Sequence, residues 1–376
     1  MLDFHINANV ETTLLDLFIV LFVYLLTVLG NRKLVIGSSR LLPSNIVWRN
    51  YLGLLLGIVF LQIAAITRGD FYHYGDFVQH FTPSTESHME PFYVWLIGFT
   101  HRNYLLWRVI IWGGALLLTY LTAKRLEINS VYTFFFLCVC FIFTFNYART
   151  SLGIALYFYG LSFLIKPGGR KIISYIFGVI LIYLSKNFHS SMYILIILTP
   201  FLFIKLKPIW IFAILLVAYW GYSKIQVFAP ELFAYFNAGE DVLENRWDLY
   251  VVQSEYGSQG LGGRIHEYLL YGSYYLLFAI ITYIVLIKQQ GKIEKPILLM
   301  YRILFAVVFM ASIFGIAIDA PIFFYRTLYM ATIPLCLISS YLYTNCMLPQ
   351  KWAKMFLLFC VANVGYEFLY NIYLKI

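Results

Sequence analysis

Three cationic side chains each stand where an apolar stretch of the sequence begins: Arg149, His189 and Arg326. The N-terminus of a helix carries unpaired backbone N–H groups and the positive end of the helix dipole, so it attracts anions. A guanidinium at the same place adds bidentate hydrogen bonds to phosphate oxygens. The repeated arrangement predicts a binding site for a multiply charged anion, and Arg246 and Arg264 could supply further donors.

Each of these cations also has a structural interpretation. An arginine at the end of a membrane-spanning helix can anchor that helix to lipid phosphates. His189 is followed by Ser190 and Ser191, which are common helix-capping residues. The sequence therefore leaves both an anion ligand and a hydrogen-bonded helix cap open for His189.

Carboxylates form the second group of residues that could do chemistry. A carboxylate whose pKa is raised by partial burial can take a proton from a hydroxyl group. We expect Asp70 or Glu90 to be such a base, with Asp76 in reserve. Further carboxylates on the same predicted side are Glu244, Asp248, Glu267 and Asp319. Solvated loop carboxylates are common, so each of them can also be an ordinary surface residue.

The elements that must position these residues are membrane-spanning helices. Of the 376 residues, 61% are hydrophobic and 12% charged, against about 45–50% and about 25% in soluble domains. Apolar stretches recur from residue 12 to residue 374, which predicts one integral membrane domain over residues 1–376. The predicted fold class is an all-α bundle of about twelve spans, since each span needs about 20 apolar residues. The predicted spans are 12–30, 50–67, 104–122, 130–147, 150–166, 171–186, 190–206, 208–226, 267–288, 296–317, 322–344 and 353–373.

Basic residues separate the two sides of this bundle. Of the 27 Lys and Arg residues, 17 flank alternate ends of the spans, and the positive-inside rule places these in the cytoplasm. Both termini are then predicted to be extracytoplasmic. The formal net charge of +9 reports membrane orientation, and we predict no nucleic-acid partner.

Two stretches on the predicted outer side are too long to be turns, about 68–103 and about 227–266. Because they are rich in Tyr, Trp, Phe and Gly with interspersed charge, we expect structured extracytoplasmic loops. Within the first, residues 89–101 are apolar but too few to span a membrane, and Glu90-Pro91 is a typical helix start. This segment predicts an interfacial or re-entrant helix.

Several classes of site lack support in the sequence. It contains no P-loop, dinucleotide-binding glycine pattern, zinc-peptidase motif or serine-hydrolase motif. His73, His80 and His88 lack the spacing of a metal site, and the five cysteines show no CxxC pair. We therefore predict neither a metal nor a cofactor.

Six blocks of the sequence stand out in order: RGDFYHYGDF, MEPFYVWL, NYARTSLGIALYFYGL, NFHSSMYILI, ENRWDLY and FFYRTLY. Together they resemble the EpsG family of bacterial exopolysaccharide and capsule proteins, relatives of the Wzy-type O-antigen polymerases. The resemblance extends from about residue 15 to about residue 345. It departs from the family pattern at Arg149-Thr150-Ser151, which stands in place of an Arg-Gln-like pair.

The resemblance implies a polymerase at the outer face of the bacterial cytoplasmic membrane, with a fold similar to the GT-C glycosyltransferases. Donor and acceptor are implied to be oligosaccharide repeat units on undecaprenyl diphosphate, held in the lipid bilayer. A chain-length regulator and a flippase of the same pathway are implied as further partners.

The family motifs also imply roles for single residues. The catalytic set is Asp70, Glu90, Arg149 and His189. The substrate-binding set is Tyr74, Arg246, Tyr250, Arg326 and Tyr329, to which the charged residues considered above add Asp76 and Arg264.

Two other function classes remain open from the sequence. A membrane glycan ligase or acyltransferase would share the outward anion site. A flippase for lipid-linked oligosaccharides would bind the same headgroup, but it would need polar groups through the whole membrane depth. The ionisable residues of this chain cluster at one end of the spans, which favours glycosyl transfer.

Overall fold

The computed structural model describes residues 78–81, 90–141, 148–189, 191–203, 284, 293–312 and 327–345. The helices in these ranges are α1 (Pro91–Phe99), α2 (Tyr104–Arg125), α3 (Ser130–Phe141), α4 (Ala148–Ile165), α5 (Lys171–Ser185), α6 (Met192–Leu198), a 3-10 turn (Thr199–Leu202), α7 (Lys295–Ser312) and α8 (Thr332–Thr344). Within these ranges there is no β-strand, so the predicted all-α class is confirmed for this part of the chain. The predicted spans 12–30, 50–67, 208–226 and 353–373 and the loop 227–266 lie outside the described residues.

Several helices follow the predicted spans closely. Helices α2, α4 and α5 begin and end within three residues of the spans 104–122, 150–166 and 171–186. Of the described helices, Leu106–Arg125 and Lys295–Ser312 are long and apolar enough to cross a membrane. The short apolar helix predicted within residues 89–101 is present as α1.

The predicted span 322–344 is not one continuous helix. The chain turns at Met330 and Ala331, whose backbone N–H groups bond to the carbonyls of Thr327 and Leu328, and α8 begins only at Thr332. Pro334 explains the break, because proline lacks the N–H that would bond to the carbonyl of Met330 in a longer helix.

The chain forms two compact units, residues 1–196 with 332–376 and residues 197–331. In the first unit α2 and α4 run in the same direction. Gly114 of α2 lies against Leu152, with 3.3 Å between an added Cβ and Leu152 Cδ1. Further along, the Nη2 group of Arg125 donates to the carbonyl of Lys166, just past α4, at 2.8 Å. The Arg125 guanidinium also lies 3.7 Å from the centroid of the Phe163 ring.

Helices α3 and α8 pack together in the same unit. Ser340 Oγ donates to the carbonyl of Asn129 at 2.7 Å, and the rings of Tyr132 and Tyr343 lie 4.9 Å apart. Helix α5 packs on α4 through Gly160 and Gly178. Its other side exposes large apolar residues, such as Ile172 at 75% and Ile176 at 57%. An exposed apolar face of this kind is typical of a helix that faces lipid.

The second unit includes the 3-10 turn and α7. Arg302 Nη1 donates to the carbonyl of Leu202 at 2.6 Å, so the guanidinium satisfies a carbonyl at the end of the turn. Met300, Ile303 and Leu304 of the same helix are fully buried.

Candidate functional site

Glu90 occupies the N-cap position of α1. Its backbone is extended, with φ −63° and ψ 142°, and Pro91 follows as the first helical residue. The backbone carbonyl of Glu90 accepts from the N–H of Tyr93 at 2.9 Å, while its carboxylate makes no capping hydrogen bond. The side chain is half-buried. The carboxylate is thus fixed at the start of a helix without being used to cap it.

His189 lies in the turn between α5 and α6, and it caps the following helix. Its Nδ1 accepts from the backbone N–H of Ser191 at 3.1 Å, and Ser191 Oγ lies 2.6 Å from the same nitrogen. Because Nδ1 accepts from a backbone N–H, the proton of the neutral ring is on Nε2. The cap that the sequence left open as an alternative is therefore present. Ser190 lies outside the described residues.

Phe188 joins three segments of the first unit at one place, which we call the Phe188 junction: Phe188, Phe92 of α1, Gly153 of α4 and Met192 of α6. The ring centroids of Phe188 and Phe92 lie 4.3 Å apart. An added Cβ on Gly153 would lie 3.4 Å from Phe188 Cβ and 3.0 Å from Met192 Cγ. The starts of α1, α4 and α6 consequently meet at Phe188 and Gly153.

The junction brings Glu90, Arg149 and His189 to neighbouring positions in the fold. Glu90 precedes Phe92 by two residues, and His189 directly follows Phe188. Arg149 is the second residue of α4, one helical turn before Gly153, and its side chain lies outside the described part. Three of the predicted catalytic residues thus occupy the ends of three elements that pack together.

Arg108 is a cation of the same region that the sequence analysis missed. It lies in the second turn of α2 and is only 5% exposed. An arginine in the apolar run YLLWRVIIW was a visible signal, because an ionisable residue inside a membrane span usually faces the protein interior and has a function.

Lys186 is a second missed cation. Its Nζ donates to the hydroxyl of Tyr183 at 2.7 Å and lies 3.8 Å from the centroid of the Tyr183 ring. It is separated from His189 by only Asn187 and Phe188. In contrast, Arg102 is exposed in the loop between α1 and α2, where its backbone has φ 60°.

Of the remaining predicted site residues, the structure describes Tyr329, which is buried in the second unit at 3% exposure. Asp70, Tyr74, Asp76, Arg246, Tyr250, Arg264 and Arg326 lie outside the described residues.

The chemistry of the Phe188 junction is that of an anion site beside a carboxylate. Glu90 supplies a carboxylate, a group that can accept a proton, and His189 supplies an imidazole, a group that can donate a hydrogen bond. Arg149 adds a cation to the first turn of α4, where the helix dipole also favours an anion. Among the described residues, no three His, Cys, Asp or Glu side chains lie close enough together to hold a metal ion.

Comparison with known proteins gives one match. The family model for the EpsG family matches residues 50–375 of the chain. Searches among curated proteins and among solved structures each give no match. The predicted resemblance is confirmed, although the matched region begins and ends further along the chain than residues 15 and 345.

Proposed function

The chain belongs to the EpsG family, and on that premise we propose that it polymerises oligosaccharide repeat units carried on undecaprenyl diphosphate. The family is one of membrane proteins of polysaccharide biosynthesis. We place the protein in the bacterial cytoplasmic membrane with both termini outside. The proposed fold is a GT-C-like bundle of about twelve spans, because each apolar stretch of about 20 residues can cross the bilayer.

The observation that carries this proposal is the Phe188 junction. The contacts of Phe188 with Phe92 and of Gly153 with Phe188 and Met192 gather the starts of α1, α4 and α6 in the first unit. Those starts hold Glu90, Arg149 and His189, a carboxylate and two nitrogen donors. A transferase that uses a diphosphate leaving group needs both kinds of group within reach of one substrate.

In the proposed reaction a hydroxyl oxygen of the acceptor unit attacks the anomeric carbon of the donor glycan. The bond between that carbon and the diphosphate oxygen breaks, and the electron pair leaves with undecaprenyl diphosphate. The hydroxyl proton passes to Asp70 or Glu90, with Asp76 in reserve. The negative charge of the leaving group is held by Arg149, Arg246 and Arg326.

His189 assists this charge stabilisation through its Nε2–H. The hydrogen bond from the Ser191 backbone N–H to Nδ1 favours that tautomer, so the donor needs no rearrangement when the leaving group forms. Tyr74, Tyr250, Arg264 and Tyr329 complete the proposed substrate-binding set.

The test is polymerisation by the purified protein. Lipid-linked repeat units are extracted from cells that lack this protein and are supplied to it in proteoliposomes. We expect a ladder of products that differ by whole repeat units, together with release of undecaprenyl diphosphate. A preparation of Arg149→Ala serves as the control for contaminating transferases.

Other product patterns would contradict the proposal. A single transfer to a different acceptor would indicate a ligase or an acyltransferase. Movement of the lipid-linked unit across the bilayer without a new glycosidic bond would indicate a flippase.

A further inference from the structure

Helix α2 has an exposed and a buried face, and Arg108 lies on the buried one. Trp107 and Ile111 are fully buried, whereas Leu106 is 45% and Val109 52% exposed. Arg108 is 5% exposed. Its side chain therefore lies inside the first unit and not on the face that would meet lipid. An anchor to bulk lipid phosphates, which needs an exposed guanidinium, does not fit this position.

The first two turns of α2 also contact α1. The ring of Trp107 lies 6.2 Å from Tyr93 and 5.9 Å from Tyr104, measured between centroids. Tyr93 is fully buried and belongs to the first turn of α1, the helix that Glu90 begins. Arg108 follows Trp107 in the sequence, so it belongs to the part of α2 that contacts the helix carrying the proposed base.

Arg108 lies at a similar height to the start of α4. Gly114 and Leu152 face each other in the parallel pair α2 and α4. Arg108 precedes Gly114 by about 9 Å along the axis, and Arg149 precedes Leu152 by about 4.5 Å, at 1.5 Å per residue. The two arginines are thus within about one helical turn of the same level.

Two guanidinium-bearing residues at one level of an apolar bundle suit a ligand with two negative groups. A guanidinium keeps its charge and presents a planar set of donors that matches phosphate oxygens in pairs. A diphosphate has two phosphoryl groups and can bind two arginines at once, whereas a monophosphate has a single phosphoryl group.

Resting on the function proposed above, we propose that Arg108 is a further binding residue for the diphosphate of the lipid carrier, in addition to Arg149. Its role is to select a diphosphate over a monophosphate. The chemistry recognised is that of a polyprenyl diphosphate, and inorganic pyrophosphate shares the same charged group.

Binding of short lipid phosphates tests this role directly. Dissociation constants are measured for farnesyl diphosphate, farnesyl monophosphate and inorganic pyrophosphate with the full-length protein in nanodiscs. We expect Arg108→Gln to weaken the binding of farnesyl diphosphate about 10- to 100-fold, which corresponds to the loss of one or two strong charge-assisted hydrogen bonds. The binding of farnesyl monophosphate should weaken less than threefold. The control is Arg102→Gln, which removes an exposed arginine and should leave all three constants unchanged.

Arg108→Lys distinguishes a loss of binding from a loss of folding, because it keeps the positive charge at the same position. It should fold as the wild type does and bind farnesyl diphosphate about 3- to 10-fold more weakly, because a lysine cannot form the paired hydrogen bonds. A dissociation constant for pyrophosphate that rises in Arg108→Lys by the same factor as that for farnesyl diphosphate would assign the contact to the diphosphate group and not to the prenyl chain.

Two results would overturn the proposal, and they differ in what else they affect. If the variants bind both farnesyl phosphates with the wild-type ratio, Arg108 is a structural residue and the proposed polymerase function stands. If the wild type binds no diphosphate probe and makes no polymer, both the role of Arg108 and the proposed function are wrong.

Discussion

Gly160 of α4 and Gly178 of α5 lie directly against each other where the two helices cross. A Cβ added to Gly160 would lie 2.9 Å from the carbonyl oxygen of Gly178, and one added to Gly178 would lie 2.8 Å from the carbonyl oxygen of Gly160. Small residues allow such close approach of helix backbones in membranes. Because α4 also carries Arg149, this crossing helps to fix the helix that positions the proposed anion site.

The first prediction concerns this crossing. Gly160→Ala and Gly178→Ala should each lower the free energy of unfolding by about 1–3 kcal/mol, because the new methyl group meets backbone atoms that cannot move aside. Thermal unfolding of the detergent-solubilised protein measures the effect. The control is Gly98→Ala in α1, where an added Cβ meets nothing within 4 Å, and where stability should stay equal or rise by up to about 1 kcal/mol.

The second prediction concerns Phe188. Phe188→Ala removes the ring that contacts Phe92, so α1 and its Glu90 lose their fixed position relative to α4. We expect the polymerisation rate to fall on the order of 10- to 100-fold, as misplacement of catalytic groups typically does. Phe203→Ala, which truncates a side chain that is 80% exposed, should retain the wild-type rate. Equal rates for both variants would show that the Phe188 junction does not position the site.

The helices and their starts follow from local features of the sequence. The lengths of α2, α4 and α5 follow from apolar runs of about 20 residues, and the start of α1 follows from Glu90-Pro91. The break before α8 also has a local cause, which is Pro334. It was not predicted, because residues 322–344 form a continuous apolar run that indicates a single span. A hydropathy pattern reflects the polarity of the side chains, and it does not show that proline lacks a backbone N–H.

The arrangement of the site could be predicted only in part. The spacing of the cations indicated Arg149 and His189, because both begin apolar stretches. The contact between Phe92 and Phe188 depends on how α1 packs against α4 and α6, which no local pattern encodes. The burial of Arg108 likewise depends on which face of α2 meets its neighbours.

The third prediction separates the two roles of His189. His189→Ala should lower the polymerisation rate about 100-fold or more if Nε2–H stabilises the leaving group. Ser191→Ala removes only the hydroxyl contact to Nδ1 and should lower the rate about two- to tenfold, equivalent to about 0.5–1.5 kcal/mol for one hydrogen bond.

A double-mutant cycle then tests whether Ser191 acts through His189. In the His189→Ala background, Ser191→Ala should have no further effect on the rate, because the hydroxyl has no ring left to orient. Independent effects of the two substitutions would contradict that role, and a purely structural cap would lower stability without a specific loss of rate.

The fourth prediction concerns the proposed base. Glu90→Gln and Asp70→Asn keep the shape of each side chain and remove its basicity. The variant of the true base should lose about 100- to 10,000-fold in rate, the range of general-base catalysis, while binding farnesyl diphosphate normally. Wild-type turnover in both variants would exclude both carboxylates and leave Asp76 as the candidate.

The fifth prediction concerns Arg149, the cation closest to the start of α4. A positive group aimed at the developing charge of the leaving diphosphate contributes roughly 3–4 kcal/mol in a well-ordered site. Arg149→Ala should therefore reduce the polymerisation rate by about two to three orders of magnitude while the protein still accumulates in the membrane. Arg149→Lys should recover only part of this loss, because an ammonium group cannot form the paired hydrogen bonds of a guanidinium. The matched control is Arg170→Ala, an exposed arginine at the N-cap of α5, which should polymerise normally. Polymer of normal length and rate from Arg149→Ala would remove Arg149 from the site.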